Sequence, residues 1–305
     1  MPPPDKLHIH DKTPYLHMLW ASMAFATTAA FSHRAGELCD WRLVVAARGV
    51  VTFFFAAIIA KAGGVKFVWR DSATLWIRSV ASGVGMVCGF YALTHLPVSD
   101  TLTLINTSPI WVTLLSWLIF GQRPTVGVIC AVIVSVTGIA LIQQPHFQSG
   151  KFAGLIALCA AFCVSVSMLG LGRLKHIDPR AIAAHFSGVA SVAAILLLLL
   201  TDRKDYSDQL GNKSVLLLLT LVGAGGALGQ IGMTRAFAKG HASRVSVIAL
   251  SQILFGLGFD VLFWSRSVNL ISLLGMALVI APTAWLILGK ASQQRRDLIK
   301  VEMED

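Results

Sequence analysis

Gly83-Val-Gly-Met-Val-Cys-Gly-Phe-Tyr-Ala-Leu93 and Ala227-Leu-Gly-Gln-Ile-Gly-Met-Thr-Arg-Ala-Phe237 open two stretches, 83–142 and 227–286, that align without a gap at a shift of 144. In that register Gly85 falls on Gly229, Ala92 on Ala236, Ser99 on Ser243 and Ala140 on Ala284. Nearer each start the shift is 137, which sets Ala24-Phe25 on Ala161-Phe162 and Ala46-Ala47 on Ala183-Ala184. Few letters are identical, so the match rests on apolar stretches and short loops keeping step. Working outward, ten apolar stretches emerge, at about 15–33, 41–60, 75–93, 101–120, 125–142, 152–172, 180–201, 214–236, 244–264 and 269–288. Each is close to the roughly 20 residues that a hydrocarbon core of about 30 Å demands.

The expected fold is an all-α integral membrane protein with ten transmembrane helices in two inverted five-helix repeats. An odd number of spans per repeat makes the second enter the bilayer upside down, and such carriers hold substrate near the midplane between the halves. The expected division is a cytoplasmic tail (1–14), a first repeat (15–142), a connecting loop (143–151), a second repeat (152–288) and a cytoplasmic tail (289–305).

Composition agrees with a membrane solvent. Hydrophobic residues make up 55% of the chain and charged residues 13%, against about 25% charged in soluble domains. The N-terminus lacks the apolar core and cleavage site of a signal peptide, so the first span is expected to remain as an anchor. Four of the five cysteines lie inside apolar stretches with no metal-ligand spacing, which argues against a disulfide framework or a metal site.

The net charge of +10 does not point to nucleic acid, because the basic residues crowd the ends of spans. With both termini inside, the inner segments hold sixteen Lys and Arg, among them Arg70, Arg78, Arg173 and Arg180, and the outer loops hold seven. The positive-inside rule then places both termini in the cytoplasm. The loop 202–213 runs against that rule, since it should be outside yet carries Arg203, Lys204 and Lys213.

Two stretches carry a family resemblance. One is Asp40-Trp-Arg-Leu-Val-Val-Ala-Ala-Arg48; the other runs from Phe90 through Thr101-Leu-Thr-Leu-Ile-Asn-Thr-Ser-Pro-Ile-Trp111 to Leu118-Ile-Phe-Gly-Gln-Arg-Pro124. Together they resemble the EamA-type branch of the drug/metabolite transporter superfamily, over nearly the whole chain. That resemblance implies alternating access through a central cavity lined by both repeats. The chain departs from the family pattern at Gln122, where the family usually has Glu, and at Ile253, where the second repeat lacks the counterpart of Pro109.

The candidate substrate-binding residues are Trp20, Arg48, Tyr91, Thr103, Asn106, Ser108, Trp111, Gln230, Ser251 and Gln252. Arg48 lies about eight residues into the second span, roughly 12 Å along a helix axis. A charge at that depth faces protein, a cavity or a counter-ion; it meets an anionic substrate group, braces helix ends by pairing with Glu37, Asp40 or Asp260, or snorkels outward. Its counterpart His185 reads as a hydrogen-bonded core residue. Thr103, Asn106, Thr107 and Ser108 precede Pro109, which frees the carbonyl of Ile105; Ser246, Ser251 and Gln252 lie at matching depth in the second repeat. These polar groups either line a site or join helices. Trp20 and Trp111 are candidate apolar walls, Tyr91 is a wall or belt residue, and Trp41, Trp69, Trp76 and Trp264 suit the interfacial belt. The glycines of 83–89 and 223–232 read as close-packing surfaces.

Only Asp260 among the carboxylates falls clearly inside a span, so a neutral, zwitterionic or anionic metabolite, such as an amino acid, is favoured over a cation. The reading is a secondary carrier in an inner (plasma) membrane. Its alternative is a non-transporting or lipid-handling membrane protein; an intramembrane enzyme lacks every motif it would need. The expected partners are a small-molecule substrate and the lipid bilayer, with a homodimer left open and no nucleic acid or cofactor.

Overall fold

The computed structural model describes residues 12–69, 72–95, 98–144, 151–200, 206–264 and 269–286, and within these it contains helices and no strands. In chain order they are α1 (Thr13–Gly36), α2 (Trp41–Ala62), α3 (Ala73–His95), α4 (Val98–Ile105), α5 (Ser108–Phe120), α6 (Val126–Gln143), α7 (Lys151–Leu171), α8 (Pro179–Leu200), α9 (Ser207–Gly211), α10 (Lys213–Lys239), α11 (Ala242–Ala249), α12 (Ser251–Trp264) and α13 (Leu270–Leu286). Among the described residues six segments are long and apolar enough to cross a membrane: Arg42–Ala62, Thr101–Phe120, Phe152–Leu171, Pro179–Leu199, Lys213–Lys239 and Ala242–Phe263. The chain is a multi-span membrane protein. In lipid a spanning backbone must satisfy its own hydrogen bonds, which a helix does along its whole length.

Local sequence sets the helix ends. The Asp40 carboxylate accepts from the Arg42 amide (2.9 Å) and caps α2, and Asn212 caps α10 through the Ser214 amide (2.9 Å). Gly121 ends α5 in the left-handed region at φ 65°, a conformation that costs a residue without Cβ nothing.

Apolar side chains gain little by leaving lipid for protein, so close contact must hold these helices together. α1 runs antiparallel to α10: Gly240 meets Pro14, and a Cβ on Gly229 would lie 2.6 Å from the Phe25 ring. α2 runs antiparallel to α8, with Gly49 against Ser191 and Gly188 against Phe53. α3 runs antiparallel to α7, with Gly85 against Cys163 and Gly170 against Arg78. α6 and α13 cross where Gly138 meets Gly275, each within 2.7 Å of where the other would carry a Cβ; they too are antiparallel, since Gly127 meets Trp285 and Gln144 meets Asn269. α10 also lies along α2, and α3 along α8. The glycines therefore act as the packing surfaces expected of them.

Loop contacts sort the helix ends onto two faces. Gly63 meets Arg180, Gly240 meets Pro14, and the Arg173 guanidinium stacks on Phe120 at 4.8 Å. On the opposite face the Asp40 amide donates to Gln209 Oε1 (3.0 Å), and Gln144 Nε2 donates to Asn269 Oδ1 (3.1 Å).

Between α8 and α10 the described residues form α9, and Gln209 ties it to the start of α2. Two expectations need correction. The second repeat interrupts its helix at Leu250 without a proline. Leu250 is the counterpart of Asn106, where α4 gives way to α5. Arg78 does not lie at a cytoplasmic span end in solvent: it is fully buried within the helix packing. Lys6, Arg70, Arg203, Lys204, Arg266, the C-terminal tail and the side chains of Trp41, Asp260 and Trp264 lie outside the described residues.

Candidate functional site

α2, α3, α8 and α10 converge where small residues let their backbones approach. Gly49 and Ala190 keep α2 close to α8, and Gly226 keeps α10 close to Thr52. A cavity opens there, lined by Arg48, Thr52, Met86, Phe186, Ser187 and Gln230 among others. It measures about 20 Å³, room for a water molecule rather than a metabolite.

The polar groups of the cavity are unequal. Thr52 Oγ1 donates to the Gly223 carbonyl (3.1 Å) and Ser187 Oγ to the Ala183 carbonyl (2.7 Å), so both hydroxyls serve backbone. Arg48 forms no ion pair with any described carboxylate. Gln230 accepts through Oε1 from Arg78 Nη2 at 3.3 Å. Arg78 lies with its guanidinium 5.0 Å from the Phe186 ring centre, and cation–π contact of this kind favours Arg over Lys. One residue along each helix, Ser79 Oγ and His185 Nδ1 share a hydrogen bond of 2.8 Å. The Trp69 and Trp76 rings flank His185 at 5.4 and 4.8 Å.

Of the ten candidates, Arg48 and Gln230 share the cavity. The others lie elsewhere. Asn106 Nδ2 donates back to the Leu102 carbonyl (2.7 Å), and the Ser108 carbonyl accepts from Ser165 Oγ (3.0 Å). Trp111 packs edge-on to Phe162 at 5.6 Å and Tyr91 edge-on to Phe152 at 6.5 Å. Trp20 is half-exposed and packs over Gly232. Thr103 is buried in α4; Ser251 is buried at the start of α12, and Gln252 beside it is half-buried. Outside the cavity, Gln122 accepts from Ser116 Oγ (3.1 Å) and closes the end of α5.

Sequence does not single out Thr52, Met86, Phe186 and Ser187, and it counts Arg78 only among the cations of the inner segments. A signal for Arg78 existed: position 78 falls inside the third apolar stretch, next to Ser79.

The EamA-like transporter family model matches this chain twice, over residues 12–144 and again over 151–288. The chain belongs to the EamA-like transporter family. The two matches divide at the α6–α7 connection, so the cavity draws α2 and α3 from one matched unit and α8 and α10 from the other. Among relatives, the pseudopaline exporter CntI of Pseudomonas aeruginosa (strain UCBPP-PA14) is 28% identical over 275 residues, covering 88% of this chain and 94% of that protein. A biotin transporter of Salmonella typhimurium is 21% identical over 274 residues, covering 88% and 89%. One solved crystal structure superposes with a TM-score of 0.79 at 15% identity, over 90% of this chain and 98% of the other, which marks a shared fold.

Proposed function

We propose that this family member is a secondary carrier that moves a small carboxylate-bearing metabolite, anionic or zwitterionic, through the cavity between its two repeats by alternating access. The observation that carries the reading is Arg48 lining a central cavity with no described carboxylate opposite it. Guanidinium groups are strong, planar receptors for carboxylates. A cationic solute would meet an unopposed positive charge.

The helix pairings support ten spans in two inverted repeats. Exchanging the repeats turns the α1–α10 pair into α7–α3 and the α2–α10 pair into α8–α3, and both members of each exchange occur. Corresponding spans α2 and α8, and α6 and α13, run in opposite directions, as inversion requires. The Gly63 and Arg173 face carries the larger share of Lys and Arg, which supports cytoplasmic termini in a plasma membrane.

The test is flux into liposomes containing the purified full chain. Labelled glutamate, lysine and biotin serve as anionic, cationic and singly carboxylated probes, with biotin taken from the relative named for it. Saturable uptake of a carboxylated probe and none of lysine is expected. Uptake of lysine, or no flux of any probe, would overturn the reading.

A further inference from the structure

Arg78 is the largest fully buried side chain among the described residues, with no exposed surface. Its Nε and Nη1 have no hydrogen-bond partner among those residues, and no described carboxylate pairs with it. Its contacts are one long hydrogen bond to Gln230, the face of Phe186, and Gly170, where an added Cβ would come within 3.1 Å of the Arg78 stem. A guanidinium carries five N–H donors, and an uncompensated buried charge costs several kcal/mol. Both residues that cover the charged end, Gln230 and Phe186, also line the central cavity. Beside this layer His185 Nε2, again buried, has no hydrogen-bond partner among the described residues. The Arg78 guanidinium therefore stands one side chain behind the cavity wall.

Resting on the carrier reading above, we propose that Arg78 is a second carboxylate receptor, covered by Gln230 and Phe186 in this structure and reached when those two side chains move aside. The substrate carboxylate then takes the place of the Gln230 amide on the guanidinium fork. Gly170 supplies the space that keeps the Arg78 stem against α7. Arg48 and Arg78 act from different helices of the first repeat, so a solute passes between two cationic contacts.

The test uses the full chain in lipid nanodiscs, with succinate and its uncharged analogue succinamide as probes. Affinities of both are measured for the wild type, Arg48→Gln, Arg78→Gln and Arg78→Lys. The wild type is expected to prefer succinate at least tenfold, and Arg78→Gln to lose most of that preference. Arg78→Lys keeps the charge but not the fork and is expected to lose it in part. A merely structural Arg78 would lower stability without changing the succinate-to-succinamide ratio. An unchanged ratio in Arg78→Gln, beside a reduced ratio in Arg48→Gln, overturns this proposal and leaves the carrier reading standing. If Arg78→Gln does not fold, a wild-type ratio in Arg78→Lys overturns it. Failure of the wild type to bind succinate also overturns it, while liposome flux judges the carrier reading separately.

Discussion

Ser79 Oγ and His185 Nδ1 lie 2.8 Å apart, both buried, and join α3 of the first repeat to α8 of the second. Removing one partner strands the other, which costs about 1–3 kcal/mol. Ser79→Ala is therefore expected to lower the unfolding free energy by that amount. Adding His185→Leu to it should recover part of the loss, because no unpaired ring nitrogen remains. Thermal unfolding of the single and double variants in detergent checks both; a double variant worse than either single by simple addition contradicts the pairing.

Arg48→Gln removes the charge that lines the cavity and leaves a shorter, neutral polar side chain there. Flux of the carboxylated probe is expected to fall at least tenfold, about 1.4 kcal/mol or more of lost stabilisation, with normal expression. A wild-type rate would remove Arg48 from the substrate path.

Gly138→Ala would force a Cβ to within 2.7 Å of the Gly275 carbonyl, where backbone rather than a pliable side chain must give way. A loss of about 1–3 kcal/mol is expected from such overpacking. Gly256→Ala is the control, since nothing lies within 4 Å of its added methyl, and helix propensity favours Ala by up to about 1 kcal/mol. Equal melting temperatures for the two variants would show that the α6–α13 crossing contributes little.

The Asp178 carboxylate receives two hydrogen bonds from the Arg180 guanidinium at 3.0 Å and one from its amide at 2.8 Å. These bonds hold its pKa below the ordinary carboxylate value. A depressed folded-state pKa means that its stabilising contribution is fully present above the unfolded value near 3.9 and is lost as pH falls through the lower folded one. Amide exchange in the α7–α8 connection is expected to quicken in that acidic window in the wild type. Asp178→Asn should show the faster exchange already at neutral pH, and equal rates in the two proteins there would contradict the assignment.

A single cysteine at position 207, replacing Ser207 in a chain freed of its native cysteines, is expected to react with an impermeant thiol reagent added outside intact cells. The position adjoins the face marked by Asp40 and Gln209. A cysteine replacing Lys175 on the other face should be protected. The reverse pattern would invert the topology.

The helices could be read from apolar length alone, and the 144-residue register already paired Asn106 with Leu250. What that register could not convey is that both positions interrupt a helix. Pro109 drew attention to the first, and nothing marks the second: Leu250 and Ile253 are ordinary helix formers, and the interruption there is a property of packing. Arg48 was legible because the five apolar residues Leu43–Ala47 directly before it carry it into the span. Arg78 was not, since a basic residue near the start of a span commonly snorkels into the headgroups. The space beside Gly170 and the contacts with Phe186 and Gln230, all distant in sequence, hold it inside. Asn106 reads as a free amide in sequence, whereas its Nδ2 bonds to the carbonyl four residues earlier, a local bond that letters cannot distinguish from substrate contact.

The matched interruptions have a mechanical corollary. α4 and α11 each hold eight residues, making two short rods of about 12 Å at 1.5 Å per residue. Swinging such a rod through about 20° about its junction carries its far end roughly 4 Å, about the thickness of an organic solute. Under the alternating access proposed above, equal arm lengths in the two matched units would pair an opening stroke on one side with a closing stroke of the same reach on the other, so that one set of bearings would serve both directions of travel.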